Sequence, residues 1–183
     1  MKKVDIIHGG WLKAPNGASS VLRTLAESTS KFEEYGIQLS VYSMDLIVLK
    51  SFENIAAINQ RKGLRYFIKK NANANSILAF ISIYAIYLRH ARKIVKYYFD
   101  QGLEESRILF IHDIFTCYYY LKYRSRRQKT VLVLHNNGDT FNMLRQYYPV
   151  LNKSRLYSIL LYIERKVLSE VDTVSYTHLT LPT

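Results

Sequence analysis

The sequence holds one cysteine, Cys117, with three prolines and seven glycines in 183 residues. A single thiol excludes an internal disulfide and any multi-cysteine zinc or iron–sulfur site, and it fits a reducing compartment. So little proline and glycine, beside 49% apolar residues, excludes collagen-like, low-complexity and disordered chains. Long hydrophobic runs are missing as well. The longest, residues 77–88, is interrupted by Ser82 and falls short of the roughly 18–20 residues that a membrane-crossing helix needs. The opening Met1-Lys2-Lys3-Val4-Asp5-Ile6-Ile7-His8 sets an acid inside a short apolar run, unlike a signal peptide. No segment is expected to span a membrane, and the expected location is cytoplasmic. The length suits one ordinary domain around one core.

Acidic residues are also scarce, 14 against 26 Lys and Arg, which leaves a formal charge of +12. Such a surplus points to an anionic partner. Nucleic acid, an acidic membrane face and a phosphate-bearing substrate all satisfy it, and charge alone does not separate them. The basic residues cluster at 61–70, at Arg89, Arg92, Lys93 and Lys96, and at 122–129, each time beside apolar or aromatic residues. Solvated faces of amphipathic helices account for these clusters equally well.

What remains reads as alternating strands and helices. Residues 3–8 are apolar and β-branched and end at Gly9-Gly10, as a short buried strand does. Pro15, Asn16 and Gly17 supply turn chemistry, and Ala18, Val21, Leu22, Leu25, Ala26 and Phe32 then recur at helical spacing. Gly36 stops that helix, and residues 37–42 alternate as a second strand. Strand, glycine loop, helix, strand requires a right-handed crossover and a parallel sheet. Residues 45–75 are read as an insertion or loop with some helix near 58–68. A long helix is expected over 76–101, apolar in its first half, basic in its second, and stopped by Gly102. Strands follow at 107–112 and 130–135 with a helix at 115–123 between them. A last helix spans 154–170 with Ser154 as its N-cap and Leu156, Ile159, Leu160, Ile163, Val167 and Leu168 on one face. The fold class is α/β, a Rossmann-like parallel sheet flanked by helices.

In open sheets of this kind ligands bind at the carboxyl ends of the strands, so three loops hold the site candidates. Gly9, Gly10, Asn16 and Gly17 precede a helix N-terminus and offer unhindered N–H groups to a phosphate or carboxylate. No Gly-Lys-Ser/Thr follows, and the spacing is not that of a dinucleotide fingerprint. A plain tight turn explains the glycines as well. The other two loops begin His112-Asp113 and His135-Asn136-Asn137-Gly138-Asp139. A histidine at a strand end can bond a sugar hydroxyl or carry a proton, with Asp113 or Asp139 orienting it, or it can simply cap the strand. Two His and two Asp on separate loops lack metal-ligand spacing, so no metal is expected. Cys117, inside the aromatic run 115–120, is expected in the core rather than as a nucleophile.

Together these segments resemble family 4 glycosyltransferases of GT-B fold. The opening strand and Gly-Gly loop, Pro15-Asn16-Gly17-Ala18 before the helix, and Tyr35-Gly36-Ile37-Gln38-Leu39-Ser40-Val41-Tyr42 look like that family's start. Ile108-Leu109-Phe110-Ile111-His112-Asp113 and Val131-Leu132-Val133-Leu134-His135-Asn136 are similar to its two strands that end in histidine. Ile163-Glu164-Arg165-Lys166-Val167-Leu168 with Val171-Asp172-Thr173-Val174 matches its following helix and strand. The resemblance runs over residues 2–174 and concerns the N-terminal, acceptor-side half alone. It implies a hexosyltransferase that retains anomeric configuration, with a nucleotide sugar as donor substrate and no cofactor or metal. The donor would be held through a C-terminal domain outside these residues, so the fragment alone is expected to be inactive. The acceptor would be a cell-surface glycan or a lipid-linked molecule, as in polysaccharide biosynthesis. By the same resemblance Gly9, Gly10 and Gly17 close over the donor phosphates, although Asn16-Gly17 stands where the family has paired glycines. His135 would be catalytic in touching the transferred sugar, Asn136 follows it, and His112 and Asp113 would face the acceptor.

Two rival readings are a basic nucleic-acid-binding module and a Rossmann-type oxidoreductase or epimerase. The first draws on +12 and sixteen tyrosines, but Tyr97-Tyr98 and Tyr118-Tyr119-Tyr120 fall within apolar helices, where packing explains them. Nucleic acid is therefore not expected as a partner. The second needs a tighter glycine fingerprint. The basic half of helix 76–101 suggests a peripheral contact with the inner, anionic face of a membrane, or else solvation of that half while the apolar half packs inside. Finally, residues 174–183 contain no Lys, Arg, Asp or Glu and resemble, codon by codon, one frame of an adapter used in transposase-based sequencing libraries. They are expected to be a non-native tail on a domain of residues 1–173, although a strand is due at that point.

Overall fold

The computed structural model describes residues 1–15, 17–49, 62–102, 107–124, 128–135 and 140–176. Five strands form one sheet: β1 Lys2–Ile7, β2 Ile37–Tyr42, β3 Ile108–Ile111, β4 Thr130–Leu134 and β5 Thr173–Tyr176. They run β2-β1-β3-β4-β5, and every pairing is parallel. The α/β, Rossmann-like class read from the sequence is the one observed.

Register explains which strand residues face the core. Ile7 pairs with Ile111 and Ile111 with Leu132, so period-two alternation puts these residues, with Leu109 and Leu134, on one face. Helices α6 Arg89–Asp100, α7 Ile114–Tyr123 and α9 Tyr157–Glu170 cover that face. The deepest side chains there include Tyr98, Tyr120, Ile94 and Leu160. Burial of this size, at about 25 cal/mol per Å² of apolar surface, is the main force holding the layers. Helix α1 Gly17–Glu27 and α2 Thr29–Glu34 pack instead on β2. Leu22 is the buried apolar anchor of α1, while Val21 is half exposed.

Several boundaries differ from the sequence reading. The first helix breaks at Ser28 into α1 and α2. Gly36 ends α2 at φ +70°, a left-handed conformation in which glycine has no Cβ to clash, and its N–H bonds the Glu33 carbonyl. Among its described residues the region read as an insertion contains two helices, α3 Met44–Leu49 and α4 Lys62–Asn71; residues 50–61, with the start of the helix expected near 58–68, lie outside them. The long helix is real but composite: α5 Ser76–Ile83, a π-helical turn Tyr84–Leu88, then α6. Asn75 caps α5 by accepting from Ile77 and Leu78 N–H, and Gly102 ends the run at φ +63°. The last helix begins at Tyr157, after α8 Asn142–Tyr147 and a 3-10 turn Pro149–Lys153. The Ser154 backbone N–H closes that turn on the Leu151 carbonyl, and its hydroxyl accepts from Leu156 N–H on the way into α9. Ile159 and Leu168, expected on the inner face, are 41% exposed; Leu160, Ile163 and Val167 form it.

Residues 173–176 occupy the sheet edge, with Val174 half buried against the core and Thr173, Ser175 and Tyr176 exposed. Asp172 anchors the turn before them by accepting from Thr130 N–H at 3.0 Å. The rest of the suspected tail, residues 177–183, lies outside the described residues.

Candidate functional site

The strand order reverses between β1 and β3: the chain leaves β1 for β2 on one side and returns to β3 on the other. At such a switch point the loops above adjacent strands diverge and leave a crevice at the carboxyl edge. His8 follows β1, His112 and Asp113 follow β3, and His135 follows β4, so one edge collects three histidines. The sequence reading named His112 and His135 but passed over His8. Its position directly after a buried strand, beside two glycines, was the available signal.

His112 and His135 are in direct contact. The His112 Nδ1 lies 2.8 Å from His135 Nε2, and the rings stack at 5.1 Å between centroids. One nitrogen must donate and the other accept, so the bond ties the tautomer of one ring to that of the other. His112 is 9% exposed. Burial first, then the neighbouring His135 and His8, pull its pKa down from 6.5 to about 3. At neutral pH it is therefore an uncharged ring.

Asp113 does not orient His112, contrary to the sequence expectation. Its carboxylate caps α7, accepting from Thr116 N at 2.7 Å and Thr116 Oγ1 at 2.6 Å, which satisfies an otherwise orphaned helix-start N–H. It also accepts from Gly9 N at 2.9 Å and thereby pins the glycine loop to the β3 side of the crevice. A Cβ at Gly9 would come within 2.5 Å of Thr116 Oγ1 and 3.1 Å of Asp113 Oδ2. Glycine there is a condition of this close approach. A Cβ at Gly10 would lie 2.5 Å from His8 Nε2, so Gly10 sits against the His8 ring. Gly17, by contrast, is exposed on the first residue of α1 with nothing within 4 Å of its missing Cβ.

The loop has a second tether. Asp45, in the first turn of α3, accepts from Leu12 N at 2.7 Å, and Met44 N–H bonds the Gly10 carbonyl at 3.1 Å. His8 lies beneath this strap. Its backbone N–H bonds the Tyr42 carbonyl, but its ring Nδ1 is buried without a hydrogen bond, 3.9 Å from Asp113 Oδ2. That oxygen is already engaged by Gly9 and Thr116. Burial lowers the His8 pKa more than Asp113 and Asp45 raise it. A buried, unmatched ring nitrogen in a crevice is the kind of group to which a ligand hydroxyl supplies the missing partner.

Asn16 and Asn136, and the Asn137, Gly138 and Asp139 that follow, lie outside the described residues. Cys117 is fully buried and burial pushes its thiol pKa upward, so it belongs to the core. Among the described residues no cluster of His, Cys, Asp or Glu is arranged to hold a metal ion, and no helix is long and apolar enough to cross a membrane. Tyr98, Tyr119 and Tyr120 are buried, as the packing reading of the tyrosine pairs required. The chain matches no family model, no curated protein and no solved structure.

Proposed function

We propose that this chain is the acceptor-side half of a glycosyltransferase of GT-B type, moving a sugar from a nucleotide sugar to a glycan or lipid-linked acceptor. The observation that carries the reading is the hydrogen-bonded His112–His135 pair standing beside a glycine loop held at the switch point by Asp113. Neutral imidazoles suit the task, because sugar hydroxyls both donate and accept and a ring of fixed tautomer presents one role to each. In this proposal His135 touches the transferred sugar and His112 acts on it through the shared bond. Gly9 and Gly10, having no side chains, pack directly against Thr116, Asp113 and the His8 ring and so bring the loop close to the histidines. The donor diphosphate and its charge stabilisation belong to a second domain, so residues 1–173 alone turn nothing over.

The test uses the coding sequence of the complete locus, expressed and assayed with a panel of nucleoside diphosphate sugars and a glycan or lipid acceptor. Sugar transfer is expected, with His135→Ala lowering turnover more than His112→Ala. Hydride transfer or epimerisation as the reaction, or turnover by residues 1–173 alone, overturns the proposal. Equal losses in the two variants overturn the role given to His135.

A further inference from the structure

The composite helix α5–π–α6 faces inward along one side only. Ala79, Ile83, Leu88, Ala91, Ile94, Val95 and Tyr98 are buried. The outer side divides sharply in character. Its first half exposes Ile77 by 62%, Ile81 by 40%, Tyr84 by 45% and Ile86 by 46%. Its second half exposes Arg89, Arg92, Lys93 and Lys96. The spacing 77, 81, 85, 89, 92, 96 is that of one continuous helical face, and the wider π-helical turn keeps Tyr84, Ala85 and Ile86 outside in succession.

We propose that this face docks on an anionic lipid bilayer. Two halves of opposite character need a surface with two layers, and the boundary between headgroups and acyl chains supplies both. Ile77, Ile81 and Ile86 enter the acyl boundary while the four basic side chains meet anionic headgroups. A second copy of this face is a poor occupant, because a two-fold contact would set the four cations either against the partner's cations or against its isoleucines. A nucleic acid would pair with the basic half and leave the isoleucines in water.

Position gives the docking a consequence. The Cβ that Gly9 lacks would lie 3.5 Å from Ala91 Cα, and the Trp11 ring meets His90 edge-on at 6.0 Å. Residues 90–91 are therefore level with the carboxyl edge of the sheet. Helix α6 runs from there towards the start of β3, so α5 and the π-helical turn project beyond that edge, by about 20 Å at 1.5 Å per residue. Docking by this helix therefore turns the carboxyl edge of the sheet, with its histidines, towards the lipid surface. The inference needs neither a donor nor turnover, so it stands or falls separately from the proposed reaction.

The full chain is sedimented with vesicles of phosphatidylcholine alone and of phosphatidylcholine mixed with phosphatidylglycerol, at low and high salt. Pelleting with the mixed vesicles only, reduced by salt, is expected. Changing Arg89, Arg92, Lys93 and Lys96 together to Gln should lower partitioning on the order of a thousandfold. Changing Ile77, Ile81 and Ile86 together to Ser should also release the protein while leaving its far-ultraviolet circular dichroism intact, since all three are exposed. No pelleting, pelleting indifferent to salt and to both sets of substitutions, or a soluble dimer that the Ser substitutions dissociate would each overturn the proposal.

Discussion

The two ends of this sheet bury polar groups in opposite ways. Towards the amino end, Asp5 is fully buried on β1 and has both oxygens bonded, Oδ1 to Arg107 Nη1 at 2.7 Å and Oδ2 to Tyr98 Oη at 2.9 Å. Nearby, Tyr120 donates to Gln128 at 2.7 Å, and burial first of all pushes its phenol up to about 12. At the carboxyl end the most deeply buried ring, His112, is neutral. His112 and His135 bond each other, and His8 Nδ1 has no hydrogen bond. A carboxylate left unmatched in a core costs several kcal/mol, so it survives only when paired. An imidazole instead loses its charge and tolerates an open position. The amino end thus pairs its buried carboxylate on both oxygens, although Arg107 Nε beside it has no partner, while the carboxyl end leaves the His8 Nδ1 ring nitrogen open.

The largest expected effect comes from breaking the paired end. Asp5→Ala strands the Arg107 guanidinium and the Tyr98 hydroxyl and should cost about 3–5 kcal/mol in denaturant unfolding. A loss under about 1 kcal/mol would mean that the network is solvated rather than buried.

Acid should break the other end. The folded His112 pKa of about 3 lies below the ordinary 6.5, so between those values the unfolded chain binds more protons than the folded one. Its contribution is complete above the ordinary value and is lost as pH falls towards the folded value, on the order of 3 kcal/mol by about pH 4. His112→Gln should flatten that part of the stability profile, and an unchanged slope would place the acid sensitivity elsewhere.

Smaller effects separate the glycines. Gly9→Ala pushes a methyl against Thr116 and Asp113 and should cost about 1–3 kcal/mol. Gly17→Ala, with open space around it, should stabilise by about 0.5 kcal/mol through the unfolded chain. Equal effects in thermal unfolding would remove the distinction between the pinned and the open parts of the loop. A change of similar size is expected at the sheet edge. Val174→Thr keeps a β-branched strand residue at a half-buried position and should cost less than about 1 kcal/mol. A larger loss in the same unfolding assay would mark Val174 as a specific core residue.

Much of the framework was legible because period and punctuation are local. Apolar runs ending in His8, His112 and His135 marked strand ends, and Gly36 and Gly102 marked helix stops that only a left-handed residue provides. The split of the long helix was not legible, since a π-helical turn changes no composition. Nor was the duty of Asp113. An acid after a strand can cap the next helix, hold a loop or orient a neighbouring ring, and those choices differ only in side-chain placement.

The sequence by itself therefore determined a parallel α/β sheet, the strand ends at His8, His112 and His135 and a stripe of basic residues, because hydrophobic alternation and turn chemistry act between near neighbours. Tertiary structure alone decided the order β2-β1-β3-β4-β5, the bond between histidines 23 residues apart and the link from Gly9 to an acid 104 residues away. It also decided that Ile77, Ile81 and Ile86 face outward while Ile83 and Leu88 face the core. These features depend on which strand lies beside which and on the rotation of one helix against the sheet. Such long-range geometry is settled by packing the whole core at once, and no local stretch of sequence records it.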